Sequence, residues 1–75
     1  MSELVRSVVL RIVTYPEMVQ VTEVEKDGVI TVEIRVAPDD MGRVIGKGGR
    51  VINAIRTIAK AGASRDDNKV FVEVV

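Results

Sequence analysis

Cysteine, histidine and tryptophan are all absent from this 75-residue chain, and its aromatic side chains are limited to Tyr15 and Phe71. Without cysteine there is no disulfide, no thiolate nucleophile and no thiolate metal ligand. Without histidine the chain lacks the commonest general base and the commonest metal ligand. Carboxylates and lysines remain, but so short a chain has little material to enclose a deep pocket. We therefore expect a protein that is not an enzyme, with no catalytic residue, metal or cofactor.

Long apolar runs are absent as well, and no run approaches the roughly 20 residues that a membrane-spanning helix needs. The chain begins Met1-Ser2-Glu3 and shows no signal-peptide pattern. We expect an intracellular protein that does not enter the membrane. The length is enough for one domain, which we place over residues 1–75.

Acidic residues are missing from one segment, although the formal net charge of the chain is zero. Residues 1–40 hold four cations and eight acids, and residues 66–75 hold one cation and three acids. Residues 41–65, in contrast, hold six cations and no acid. A neutral protein with one basic segment can bind a polyanion there and repel it elsewhere.

Hydrophobic periodicity predicts six elements in the order α-β-β-α-α-β. They are a helix over residues 3–14, strands over 18–25 and 29–36, a short helix from 37 to about 45, a helix over 50–62 and a strand over 70–74. Tyr15-Pro16 should end the first helix, Asp27-Gly28 should form a hairpin turn, and Gly62 should cap the last helix. The order predicts an α+β fold, in which helices pack on one face of a three-stranded sheet.

The positions of several residues in the sequence predict their structural roles. Asp39 and Asp40 lie in the first turn of the short helix, so we interpret them as capping residues. Leu10 lies off the apolar stripe of the first helix, and Phe71 is expected on the outer face of the sheet. Residues 63–68 are predicted to form a polar loop.

The stretch VIGKGGRVI, residues 44–52, joins the last two helices and raises the main functional question. Helix-to-helix turns use glycine, but three glycines flanked by cations indicate a close approach to a negatively charged group. The helix N-terminus after the loop adds unpaired N–H groups. At 100° per residue, one face of that helix carries Arg50, Asn53, Arg56, Thr57 and Lys60. The opposite face carries Val51, Ala54, Ile55, Ile58 and Ala59.

The segment from Ile45 to Ile52 matches the signature Ile-Gly-x-x-Gly-x-x-Ile, so the chain resembles the KH-domain family. The element order resembles the type II arrangement. In KH domains this loop joins two helices and clamps about four nucleotides of single-stranded RNA or DNA. The resemblance makes Gly46 and Gly49 the fixed glycines of the loop. Lys47 and Gly48 are the variable pair that faces the nucleic-acid backbone.

The resemblance is strongest to the small single-KH bacterial RNA-binding proteins of the KhpA type, and it covers nearly the whole chain. It implies a cytoplasmic protein that acts in RNA-based regulation or as an RNA chaperone, linked to cell shape. It also implies a homodimer, or a heterodimer with a second KH protein of the Jag type. The residues assigned to RNA contact are Ile45, Gly46, Lys47, Gly48, Gly49, Arg50, Asn53, Arg56 and Lys60.

The resemblance also assigns roles to residues beside the glycine loop. Ile45 and Ile52 are expected to flank the loop as apolar anchors, and Ile34 and Val36 to lie in the strand beside the groove. Gly48 departs from the family, since many members carry a polar or basic residue there, which leaves Lys47 as the charge of the loop. With neither aromatic residue near the loop in sequence, we expect loose sequence preference and strong salt dependence.

Two alternatives stay open at this point. The chain could be a protein-interaction module, with RNA binding secondary and with Leu10 or Phe71 marking the contact surface. It could also bind single-stranded DNA, because the sequence does not reveal a contact to the 2′-hydroxyl group of RNA.

Overall fold

A computed structural model describes residues 1–63 and 69–75 of the chain. The helices are α1 (Ser2–Leu10), α2 (Met41–Ile45) and α3 (Arg50–Ala63), and the strands are β1 (Gln20–Lys26), β2 (Val29–Arg35) and β3 (Lys69–Val74). Single 3-10 turns cover Pro16–Met18, Pro38–Asp40 and Lys47–Gly49. The predicted α+β class and element order are confirmed.

The sheet has the order β1-β2-β3 and is mixed. Strands β1 and β2 are antiparallel, and the pair Lys26↔Val29 closes a two-residue turn. Asp27 and Gly28 both have positive φ, at 52° and 78°, as a type I′ hairpin requires. Strand β3 runs parallel to β2 from the pair Val29↔Lys69 onward, and it lies at one edge of the sheet.

The core lies between the helices and one face of the sheet. Alternate residues of β2 (Ile30, Val32 and Ile34) are buried, as the period-2 pattern predicts. The other core residues include Val5 and Val9 of α1, Ile52, Ile55 and Ala59 of α3, Val44 of α2, and Val70 and Val72 of β3. Burial of each Val or Ile side chain in this core stabilises the fold by roughly 1.5–3 kcal/mol. Among the described helices, none is long and apolar enough to cross a membrane.

Helix α1 is shorter than predicted, because it ends at Leu10 rather than near residue 14. The chain then leaves the helical path, and the amides of Thr14 and Tyr15 donate to the carboxylate of Asp40 instead of to helix carbonyls. Leu10 is half-buried against the core, so it does not mark an exposed contact surface.

Asp40 therefore has a different role from the predicted one. Its side chain makes no capping hydrogen bond to its own helix. The carboxylate is fully buried, with Oδ1 2.9 Å from the Thr14 nitrogen and Oδ2 2.9 Å from the Tyr15 nitrogen. It ties the segment after α1 to the start of α2.

Helix α3 continues past its predicted end, and Gly62 lies inside it rather than at a C-cap. A Cβ atom at Gly62 would lie 3.2 Å from Cδ2 of Leu4, so the small residue fits where α1 passes close by. Ala54 and Ile58 were assigned to the packed face but are exposed, which narrows the buried stripe of α3. Of the predicted polar loop, residue 63 is helical and residues 64–68 lie outside the described residues.

Candidate nucleic-acid interface

The glycine loop begins at Gly46, where α2 ends and the Gly46 amide donates to the Gly42 carbonyl over 2.8 Å. Gly46 has φ 77° and ψ 167°, a conformation that is essentially restricted to glycine. A Cβ atom there would lie 2.6 Å from Cγ2 of Val51 and 2.8 Å from its backbone nitrogen. The backbone angle and the close packing of α3 both exclude a side chain.

Gly48 is different, because its φ is also positive at 65° but a Cβ atom would meet no heavy atom within 4 Å. The tip of the loop, Lys47-Gly48, therefore projects away from the rest of the described protein. Lys47 is exposed at this tip. A phosphate group can approach the backbone there without steric obstruction, and Lys47 places a positive charge at the point of approach.

Helix α3 begins directly after the loop, at Arg50, and carries a basic face. We use this term for Arg50, Asn53, Arg56, Thr57 and Lys60, which are all exposed. The span from Arg50 to Lys60 measures about 15 Å at 1.5 Å per residue. The basic face thus forms a polar and cationic track that starts at the loop.

Two residues of the basic face are held in place by hydrogen bonds. Arg56 donates from Nη1 to Oδ1 of Asn53 over 2.9 Å, and from Nε to the carbonyl oxygen of Val72 over 3.2 Å. The second bond joins α3 to the edge strand β3. Arg56 therefore has a structural contact beside any contact with a ligand.

A cavity of about 590 Å³ lies where the basic face meets β3. Its lining residues are Arg56, Lys60, Lys69, Val70, Phe71, Val72 and Glu73. On the strand side, three apolar residues lie between Lys69 and Glu73, and on the helix side the cavity is lined by the cations Arg56 and Lys60. This arrangement suits a flat organic ring that carries a negatively charged group.

The structure brings most of the predicted contact residues together along the loop and the basic face. Ile45 is 37% exposed at the loop, whereas Ile52 is buried in the core. Ile34, on the central strand, is also fully buried. The residues that line the cavity come from α3 and β3, and none comes from β2.

Sequence reasoning missed the contribution of β3 to this site. Phe71 was expected on the outer sheet face, where its side chain is 53% exposed, but it also lines the cavity beside Arg56. The two residues are far apart in sequence, and they meet because α3 packs beside β3. No local motif could have revealed this.

Asp40 lies at the start of α2, the helix that leads into the glycine loop. Burial acts to raise the pKa of its carboxyl group, but the hydrogen bonds from Thr14 and Tyr15, aided by Arg43, hold the pKa below its ordinary value of 3.8. The Arg43 Nε atom lies 4.0 Å from Oδ1 of Asp40. In residues 1–63 and 69–75, no cluster of three acidic side chains could hold a metal ion.

Comparison with known protein families identifies the family of this chain. Residues 2–74 match the family model described as KhpA/KhpB, KH domain. The chain belongs to this family. The resemblance inferred from the Ile45–Ile52 signature is confirmed.

Relatives in this family align along the whole chain. The RNA-binding protein KhpA of Clostridium perfringens is 47% identical over 75 residues, covering 100% of both chains. The protein of the same name from Caldanaerobacter subterraneus subsp. tengcongensis is 44% identical over 100% of both chains. The Chlamydia trachomatis protein of that name is 43% identical, covering 100% of this chain and 96% of its own.

The KH fold is also found in a solved structure. The crystal structure of Era in complex with MgGDPNP and nucleotides 1506–1542 of 16S ribosomal RNA matches with a TM-score of 0.65. It covers 99% of this chain and 30% of the Era chain, at 24% sequence identity. This likeness supports the type II KH fold.

Proposed function

We propose that this protein binds single-stranded RNA, with the sugar-phosphate backbone clamped at the Gly46–Gly49 loop. The observation that carries the proposal is the open tip at Lys47-Gly48, whose backbone a phosphate can approach, next to the cationic track of α3. The relatives named RNA-binding protein KhpA support an RNA ligand.

In this proposal the single-stranded RNA follows the basic face from the loop towards the cavity. Phosphates lie against Lys47, Arg50 and Lys60, and bases face the edge of β3. Each phosphate contact contributes about 0.7 to the slope of log affinity against log salt for a single strand. With three or four contacts the slope is roughly −2 to −3, so affinity falls roughly 15- to 60-fold between 50 and 200 mM salt.

The test is a titration of a mixed single-stranded RNA pool with wild-type protein and a Lys47→Asp, Gly48→Asp double variant. An Arg6→Asp, Ser7→Asp variant is the matched control, because it changes the net charge equally on the exposed side of α1. Circular dichroism checks that all three proteins fold. We expect salt-sensitive binding by wild type and control, and at least tenfold weaker binding by the loop variant.

Equal binding by the loop variant and the wild type would show that the loop is only a turn. Equal losses in both variants would indicate a general charge effect rather than a clamp. Parallel titration with single-stranded DNA of the same sequence tests whether the 2′-hydroxyl group contributes.

Further features follow from the family resemblance and belong to the proposal. They are a cytoplasmic location, a non-enzymatic role as RNA regulator or chaperone linked to cell shape, and pairing as a homodimer or with a KH protein of the Jag type. Sedimentation analysis of the protein alone, and mixed with such a KH protein, tests the pairing.

A protein-interaction module is the second candidate function. Exposed apolar side chains on the uncovered outer sheet face favour it, since Val24 is 61% exposed and Phe71 is 53% exposed. If wild-type protein binds no single-stranded nucleic acid at any salt concentration, this function becomes the better explanation.

A further inference from the structure

Phe71 is an aromatic side chain that the fold leaves more than half exposed. It lies on the outer face of the edge strand β3, in one row with Thr31 of β2 and Val24 of β1. Phe71 and Val24 are both more than half exposed, but only Phe71 lines the cavity beside the basic face. Phe71 is therefore the aromatic residue of the cavity lining, and its side chain is open to solvent.

The charged residues around Phe71 differ in sign between the two ends of the cavity. Lys69 begins β3 at one end of the cavity, and Glu73 lies four residues further, about 13 Å along the strand. Arg56 and Lys60 border the cavity from the helix side. A phosphate is attracted towards Lys60 and Lys69 and repelled by Glu73. A planar ring beside Phe71 then has its negative group on the cationic side.

The track from the loop leads to this wall. Arg50 lies at the loop, and Arg56 and Lys60 belong both to the basic face and to the cavity lining. The hydrogen bond from Arg56 to the Val72 carbonyl holds the helix and the strand together beside Phe71. An RNA strand that is clamped at the loop can thus follow the cations of the basic face to the cavity that Phe71 lines.

We propose that Phe71 is a stacking platform for one nucleobase of the strand held at the loop, with purines favoured over pyrimidines. This rests on the proposed RNA-binding function. Stacking on an aromatic ring tolerates every base, and the larger ring system of a purine covers more of it. Phe71 adds a base contact beyond the phosphate clamp.

Tryptophan fluorescence gives a direct test, because the chain has no native tryptophan. Phe71→Trp places a reporter at the proposed stack, and Val24→Trp places a matched reporter in the same row outside the cavity lining. Addition of a short adenine-only RNA should quench the Phe71→Trp emission and leave the Val24→Trp emission nearly unchanged. Equal quenching at both positions, or quenching at neither, would overturn the proposal.

Affinity measurements with Phe71→Leu provide the second arm, since leucine keeps the position apolar but removes the ring. We expect binding of an adenine-only RNA to weaken roughly fivefold to twentyfold, and the preference for adenine over uracil to shrink. The salt slope should stay as in wild type, because no phosphate contact is lost. Val24→Leu is the control and should bind like wild type.

The outcomes separate the two proposals. If wild type binds RNA with a salt-sensitive affinity and Phe71→Leu binds equally well, the clamp stands and the stacking role of Phe71 is wrong. If wild type binds no RNA, both are wrong. If Phe71→Leu and Val24→Leu instead both weaken self-association in sedimentation while RNA binding is unchanged, the row on the outer face is a protein contact.

Discussion

Arg56 on α3 donates a hydrogen bond from Nε to the carbonyl oxygen of Val72 on β3, at 3.2 Å. Because β3 is an edge strand, this carbonyl is a group that an edge leaves without a partner strand. The cation that the sequence assigns to RNA contact therefore also stabilises the strand that borders the cavity. Arg56 thus contributes a charge to the basic face and also holds α3 against β3.

Replacement of Arg56 by alanine should lower the free energy of unfolding by about 1 kcal/mol, the usual net value of one hydrogen bond. Lys60→Ala removes an equal charge one turn further along the same exposed face and should change stability by less than about 0.5 kcal/mol. Urea denaturation of the two variants and wild type measures the difference. Equal losses would show that Arg56 acts only as a surface charge.

Lys60→Ala should instead affect RNA binding through charge. We expect the slope of log affinity against log salt to fall in magnitude by about 0.7, the contribution of one phosphate contact on a single strand. Arg11→Ala, an exposed cation just after α1, should leave the slope unchanged. Titrations at several salt concentrations measure both slopes. Equal slopes for Lys60→Ala and wild type would show that Lys60 does not contact a phosphate.

Gly46 and Gly48 should respond differently to alanine, although both have positive φ. Gly46→Ala should destabilise the protein by roughly 3 kcal/mol or more, because a glycine-only backbone conformation is combined with a contact at 2.6 Å from Val51. Gly48→Ala should cost only about 1–2 kcal/mol, the backbone penalty alone, since its Cβ would be in open space. Thermal and urea unfolding measure the order. A larger loss at Gly48 would contradict the described loop packing.

The sequence predicted the elements well wherever local pattern and tertiary packing agree. Strand β2 alternates strictly and is buried as expected, and Asp27-Gly28 adopts the predicted turn. Gly62 was misassigned because its smallness serves contact with Leu4 and not helix termination. A close approach between helices leaves no local signal in a single sequence.

The candidate site was predictable in its loop and helix but not in its strand. The spacing of residues 45–60 places the loop and the basic face by local geometry alone. Phe71 lies near Arg56 because α3 packs beside β3, a contact between residues distant in sequence. Asp40 looked like a helix cap, because the two amides that it binds lie 25 and 26 residues away in sequence.

Asp40→Asn should destabilise the protein, because the two carboxylate oxygens accept from two different amides. An asparagine side chain has one oxygen and one NH₂ group, so one buried backbone N–H loses its acceptor and faces a donor. We expect the Tm at neutral pH to fall by roughly 5–15 °C. Asp39→Asn, at the exposed neighbouring carboxylate, is the matched control and should leave Tm nearly unchanged.

The same carboxylate makes this difference depend on pH. The pKa of Asp40 in the folded protein lies below its ordinary value of 3.8, so the folded state binds the proton less readily than the unfolded state. Its stabilising contribution is therefore present above about pH 4 and is lost as the pH falls through the lower, folded-state pKa. The gap in Tm between wild type and Asp40→Asn should narrow in strong acid, while the small gap for Asp39→Asn stays small. A gap of constant size from neutral pH to about pH 2 would mean that Asp40 is not held as a charged carboxylate.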